Sequence, residues 1–115
     1  MRERRYHAPR RRAHAEIEAV FATDNESAVC DALVAAALND DDRLWIEAWC
    51  ATLAENPSVN VRGVAVTCLG HVARRFGTLQ TESVQLLRQL RADPDVTGRV
   101  EDALDDVAQF TSLSL

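Results

Sequence analysis

The residues best suited to chemistry in this sequence are four carboxylates near its end, Glu101, Asp102, Asp105 and Asp106. On a helix, Glu101 and Asp105 are one turn apart, as are Asp102 and Asp106, so the outer side of that helix is acidic. An acidic row is typical of a solvated surface, but it would also imitate phosphates to a partner whose active site is lined by arginine or lysine. Calcium requires oxygen ligands held in a loop, and we therefore expect no metal here.

Histidines are the only other candidates for acid–base chemistry. His71 falls in the predicted folded body, where it is either a partner-binding or acid–base residue or a structural residue hydrogen-bonded to a carboxylate such as Asp106. His7 and His14 lie in a predicted N-terminal tail, which cannot hold a preorganised site. The G-x-S-x-G, H-E-x-x-H and P-loop spacings do not occur. We therefore expect no catalytic residues and no cofactor, which predicts a protein that is not an enzyme.

Two tryptophans, Trp45 and Trp49, share one side of a predicted helix. Trp49 aligns with the core positions of that helix, and Trp45 lies at the edge of the same face. A tryptophan at an edge either closes the end of a core or forms an interface hot spot. Glu47 falls on the polar side of the helix. The predicted partner-binding residues are Glu101, Asp102, Asp105, Asp106, Trp45, Glu47 and His71.

The cysteines Cys30, Cys50 and Cys68 occur within apolar helical stretches. An odd number without a C-x-x-C spacing argues against a disulfide framework and against zinc. They are expected to be small core residues in a reducing compartment, which favours a cytoplasmic protein. The N-terminus has no signal-peptide pattern, and the longest apolar run is too short to span a bilayer, so no membrane association is expected.

Charge is distributed unevenly in this chain, whose formal net charge is −5. Residues 1–14 contain six arginines and one glutamate, whereas the rest contains seven arginines and 17 acidic residues. An acidic body repels phosphate backbones and favours a basic protein partner, although it also serves to keep a small domain soluble. We predict a flexible arginine-rich tail at 1–12 and a single domain at 13–115. Nucleic-acid binding through the tail is a weaker alternative.

Apolar periodicity predicts an all-α protein with six helices. The first is predicted at about 11–22, and the second starts from a polar cap within 24–27 and ends at 38. The other four are predicted at 43–55, 59–76, 81–92 and about 95–109. The connections are short, so consecutive helices are expected to lie antiparallel. Gly77 is placed to end the fourth helix, and Gly70 within it is expected to permit close helix packing.

A repeat links the fourth and sixth helices. The turn Asn56-Pro57-Ser58-Val59 recurs as Asp93-Pro94-Asp95-Val96, with an amphipathic helix after each. A shift of 35 residues superimposes five apolar positions, among them Leu69 on Leu104. Repetition of both the turn and the helix predicts a helical solenoid, a class of proteins that mostly bind other molecules.

The pattern Asn-Pro-x-Val-x-Val-Arg-x-x-Ala followed by Leu-Gly resembles the second helices of HEAT and HEAT-like repeats, over roughly residues 28–110. The resemblance implies a short right-handed α-solenoid of about three antiparallel helix pairs, whose second helices line a concave face. The sequence departs from the pattern at Thr97-Gly98, so that Arg99 falls two positions late. The usual contact between aspartate and arginine of neighbouring repeats is therefore in doubt for the last repeat.

Leu-Ala-Glu-Asn-Pro, Gly-His-Val-Ala-Arg and Asp-Ala-Leu-Asp-Asp also resemble small stand-alone bacterial HEAT-like proteins, some of which are immunity proteins. This resemblance implies a non-catalytic protein that neutralises a cognate toxin, such as a basic nuclease, by occluding its active site. The alternatives are a scaffold or adaptor for another bacterial complex and, less favoured, a lyase-like HEAT enzyme that uses His71. The sequence leaves open the partner, the binding face and the oligomeric state.

Overall fold

In a computed structural model, the backbone is described for residues 8–114 and side chains for residues 13–114. The described chain is all-helical and contains no strand, as predicted. Residues 1–7 of the predicted tail lie outside the described residues, and α1 begins within the tail range, at Ala8. The six helices are α1 (Ala8–Phe21), α2 (Glu26–Asn39), α3 (Arg43–Leu53), α4 (Val59–Phe76), α5 (Thr81–Leu90) and α6 (Thr97–Phe110).

Local capping explains several of these boundaries. The side chains of Asn25, Asp42 and Ser58 accept hydrogen bonds from the first-turn N–H groups of α2, α3 and α4, which otherwise have no helical partner. Gly77 ends α4 at a φ of 73°, a left-handed conformation that glycine adopts without steric cost. Both predicted bounds of α4 are confirmed, whereas α6 begins at Thr97, two residues later than expected.

The centre of the fold is α4, which packs against α2, α3 and α6. Helices α2, α4 and α6 are neighbours in one layer, while α1 packs on α2, α3 on α4 and α5 on α6, and α3 also touches α5. Burial of an apolar face along every helix supplies most of the stabilising free energy. The fully buried side chains contributed by α4 to this core are Val61, Ala65, Val66, Cys68, Leu69, Val72 and Ala73.

Candidate protein-binding surface

The four carboxylates of α6 differ in their partners. Asp106 pairs with Arg74 of α4, whereas Glu101 pairs with Arg91 at the end of α5, so the acids face two different neighbours. Asp102 is one turn from Asp106 and shares its side of the helix. Glu101 and Asp106 are therefore the paired edges of the acidic side of α6, and Asp105 and Asp102 lie between them around the helix.

Only two of these acids retain free charge. Asp102 and Asp105 are exposed, and neither has a hydrogen-bond or ion-pair partner among the described residues. The Arg91 Nε to Glu101 Oε1 distance is 2.9 Å, and the Arg74 Nη2 to Asp106 Oδ2 distance is 3.2 Å. Exposed pairs of this kind contribute little stability but reduce the local negative charge. A partner seeking carboxylates would therefore meet Asp102 and Asp105.

A shallow depression of about 210 Å³ lies between α5 and α6. Asp105 and Leu104 line it from α6, and Arg88 lines it from α5. Arg88 is exposed and, like Asp105, has no partner in the described part of the chain. On this side of α6, the negative charge of Asp105 and the positive charge of Arg88 therefore lie on either side of the mostly buried Leu104.

On its other side, α6 lies across the surface of α4. The Arg99 side chain passes over Gly63, where an added β-carbon would stand 2.8 Å from Arg99 Nε. Its Nη1 donates to Thr67 Oγ1 at 2.8 Å and to the Gly63 carbonyl at 3.4 Å. Glycine at position 63 thus allows Arg99 to bind α4 directly, a contact that the sequence did not predict.

His71 is half-buried next to this contact surface. The hydrogen bond anticipated between His71 and Asp106 is not present in the described structure, where Asp106 binds Arg74 instead. Burial lowers the pKa of His71, and the nearby Arg74 guanidinium lowers it further. The imidazole is therefore neutral near pH 7 and offers hydrogen bonds rather than charge to a partner.

Trp45 and Trp49 belong to a cluster that fastens α1 to α3. Both indole Nε1–H groups donate to Glu18 Oε2, at 2.7 Å from Trp45 and 3.2 Å from Trp49. These hydrogen bonds, the Trp45 bond most strongly, lower the pKa of Glu18. Phe21 packs between the two elements, with its ring centroid 4.8 Å from that of Trp49.

The ring of His14 stacks on that of Trp45, so the prediction that His14 lies in the tail is wrong. Its ring lies 3.8 Å from the ring centroid of Trp45 with an interplanar angle of 1°, and its Nε2 is 2.7 Å from Asp40 Oδ2. Trp45 is consequently held within the molecule on the faces turned toward α1. Any contact it makes with a partner is restricted to the part left exposed.

The predicted exposure of Glu47 on the polar side of its helix is also wrong. This residue is only 1% exposed, and its carboxylate accepts hydrogen bonds from the Gln80 backbone N–H at 2.9 Å and from Ser83 Oγ at 2.5 Å. Arg43 forms an ion pair with its other oxygen. Gln80 provides no side-chain cap for α5, so Glu47 supplies the missing acceptor from α3. It is a structural residue that a partner cannot reach.

The three cysteines are free thiols, and Cys50 and Cys68 are fully buried as expected. Burial raises the pKa of Cys68 to about 12 and raises that of Cys50 as well. Both side chains are therefore protonated at neutral pH and behave as small apolar residues. Within the described range, no group of three or more histidine, cysteine, aspartate or glutamate side chains is arranged to hold a metal ion.

Two arginines of α4 bind the turns of neighbouring helix pairs. Arg62 pairs with Asp93 at 3.4 Å and with Asp95 at 3.2 Å. An ion pair between arginine and aspartate therefore does form at the turn before α6, where the sequence left it in doubt. Arg75 donates to the Ala37 carbonyl at 3.2 Å and pairs with Asp41 at 3.1 Å. These side chains are thereby engaged within the molecule. The prolines preceding α4 and α6 indicated the turns but not these partners.

Comparison with solved structures gives a match across most of the chain. A chain in the crystal structure of a CDI (contact-dependent inhibition) complex from Cupriavidus taiwanensis LMG 19424 superimposes with a TM-score of 0.77 and is 34% identical. The match covers 84% of this chain and 88% of that chain. The protein belongs to the same family as that component of the CDI complex. Neither the protein-family models nor the curated proteins give a match.

None of the described helices has both the length and the apolar character needed to cross a membrane. Sequence reasoning missed one surface feature, a groove between α3 and α5 that is lined by Glu55 and Glu82 among others. Glu82 lies in the first turn of α5 and Glu55 lies in the turn after α3, 27 positions earlier, so only the packing of α3 against α5 could have indicated the groove.

Proposed function

We propose that this protein is the immunity component of a contact-dependent inhibition system and that it neutralises a cognate toxin by binding it. The observation that carries this proposal is the likeness to a CDI-complex chain at 34% identity over 88% of that chain. The small all-helical fold and the unpaired surface carboxylates support a binding role. The protein acts in the cytoplasm, where a delivered toxin would reach its target.

Charge on the folded body supports a basic partner. The arginines Arg43, Arg62, Arg74, Arg75 and Arg91 are held by carboxylates of the same chain. Exposed carboxylates such as Asp102 and Asp105 have no such partner in the described structure and produce the negative field. A field of this sign accelerates association with a basic toxin domain, such as a nuclease, and the acceleration falls as salt is added.

Neutralisation would occur by occlusion, without turnover. The carboxylates would occupy a basic active site in place of its phosphate substrate, so inhibition would require one molecule per toxin. Protonated, buried thiols and a neutral His71 support a binding protein rather than a nucleophilic enzyme.

The fold proposed for this role is a HEAT-like solenoid of three helix pairs, α1–α2, α3–α4 and α5–α6. The layer formed by α2, α4 and α6 supports this arrangement, since second helices stack on one another in such repeats. The contact between Arg62 and the turn before α6 also supports it, because it joins equivalent parts of successive pairs.

Co-expression tests the function directly. A candidate toxin domain, taken from a gene adjacent to the one that encodes this protein, is induced in cells with and without this protein, and growth is recorded. We expect growth to be restored only when this protein is present, and isothermal titration calorimetry with a catalytically inactive toxin domain to show one-to-one binding. Binding without protection would indicate an adaptor, and absence of binding would contradict the proposal.

A further inference from the structure

The groove between α3 and α5 is the largest of the surface depressions described above, with a volume of about 340 Å³. Ala48 and Ala51 line it from α3, and Gln85 and Gln89 line it from α5. The two alanines are exposed, so the α3 side of the groove is apolar. Their side chains are small and leave the groove open, whereas larger side chains at these positions would fill it. The amides along α5 add hydrogen-bond donors and acceptors.

Charge in this groove has one sign. Glu55 and Glu82 line it, both are exposed, and neither has a partner in the described chain. No arginine is among its lining residues in that part of the molecule. The depression on the other side of α5 differs, because Arg88 and Arg91 line it together with the acids of α6.

The buried carboxylate of Glu47 connects α3 to the beginning of α5, which form the two sides of the groove. Its Oε1 accepts hydrogen bonds from the Gln80 N–H just before α5 and from the Ser83 hydroxyl of α5, and its Oε2 pairs with Arg43 of α3. These hydrogen bonds join α3 to α5 and so hold the two sides of the groove together. A preformed groove loses little conformational freedom on binding.

We infer that this groove anchors a lysine or arginine side chain of the partner. The inference rests on the proposed function and extends the binding surface from α6 across α5 to α3. The methylene stem of a basic side chain would lie against Ala48 and Ala51, and its cation would reach the carboxylates of Glu55 and Glu82. A small apolar wall bordered by unpaired carboxylates is complementary to such a side chain and to no acidic or purely apolar one.

The test uses the whole chain and the inactive form of the toxin domain from the co-expression experiment, with the dissociation constant measured by calorimetry. Glu55→Gln with Glu82→Gln removes the charge, and Ala51→Trp fills the groove without changing charge. The matched control is Glu16→Gln with Asp31→Asn, which neutralises two exposed acids on α1 and α2 that have no partner among the described residues. Circular dichroism and thermal unfolding establish that each variant is folded.

We expect the two groove variants to weaken binding by at least about 30-fold and the control to weaken it by less than about 3-fold. Equal weakening in the charge-neutralised pair and the control would show a general field effect and would overturn the anchor. Wild-type affinity in both groove variants would also overturn it, while leaving the immunity function intact. Failure of the wild-type chain to bind the toxin domain would overturn the proposed function itself, and the anchor with it.

Discussion

Asp106 lies directly against Gly70, with its Oδ2 2.7 Å from the point at which a β-carbon on residue 70 would stand. The Cα of Ala103 is 3.3 Å from the same point, so α6 contacts α4 where a side chain would not fit. The close packing predicted at Gly70 is thereby confirmed. The relation also places Asp106 within reach of Arg74, one helical turn further along α4.

We expect Gly70→Ala to lower the free energy of unfolding by about 1 kcal/mol, even though alanine is favoured over glycine in helices by about the same amount. The added methyl group displaces Asp106 from Arg74 and presses on the backbone of α6. Chemical denaturation measures the change. Gly98→Ala is the matched control, since nothing lies within 4 Å of its added carbon and stabilisation of about 0.5–1 kcal/mol is expected. Stabilisation by both substitutions would show that α6 moves away from α4 without cost.

Glu47→Ala should destabilise the protein by about 3 kcal/mol, because it leaves Arg43 without its carboxylate and the Gln80 N–H without an acceptor. Urea unfolding followed by circular dichroism measures the loss. Glu55→Ala provides the comparison, since Glu55 is exposed and unpaired, and a change below about 0.5 kcal/mol is expected there. A loss at Glu47 no larger than that at Glu55 would contradict its structural role.

Glu18 should make stability depend on pH. Its pKa in the folded protein is lowered from the ordinary value of 4.5, so the ionised form is preferred by the native state. The resulting stabilisation is present above the ordinary pKa and is lost as pH falls through the lower folded value. We expect wild type to be more stable than Glu18→Gln at pH 7 and the difference to shrink in acid. Urea unfolding between pH 7 and pH 3, followed by tryptophan fluorescence, measures it, and a difference independent of pH would refute this assignment.

Reversal of Asp102 and Asp105 to arginine should abolish capture of a basic partner while preserving the fold. Both side chains are exposed and unpaired, and the changes also relieve repulsion between carboxylates along α6. Each reversal replaces attraction by repulsion, which can cost several kcal/mol in binding. Asp105 lines the depression beside α5 and Asp102 does not, so the single variants show whether the partner contact extends into that depression. A folded double variant with unchanged affinity would exclude α6 from the interface.

Leu69→Ala should lower the free energy of unfolding by about 2–5 kcal/mol, as expected for a leucine with 0% exposure. Thr67, on the other side of α4, is half-buried and accepts a hydrogen bond from Arg99. Thr67→Ala is therefore expected to cost about 1 kcal/mol, more than a fully exposed position would. Equal losses at the two positions, measured by denaturation, would show that the core-facing side of α4 is misassigned.

The sequence by itself determined the helices. Capping side chains at Asn25, Asp42 and Ser58, the glycine at position 77 and the apolar periodicity of α4 act over a few residues, so they can be read from adjacent letters. The same local signals indicated burial of Leu69 and Cys68, both of which have no exposed surface. No side chain caps α6, and its start at Thr97 was misplaced by two residues, whereas the start of α5 at Thr81 was predicted although it also lacks a side-chain cap.

Only the tertiary structure decided which charges are free. Glu47 appears polar and exposed in the helical pattern, but the approach of α5 brings the Gln80 N–H and the Ser83 hydroxyl to its carboxylate and buries it. Glu101 and Asp106 are paired while Asp102 and Asp105 are not, because Arg91 and Arg74 belong to different neighbouring helices. Electrostatic and hydrogen-bond partners depend on distances of a few ångströms between elements, and those distances are set by the packing of whole helices rather than by spacing along the chain.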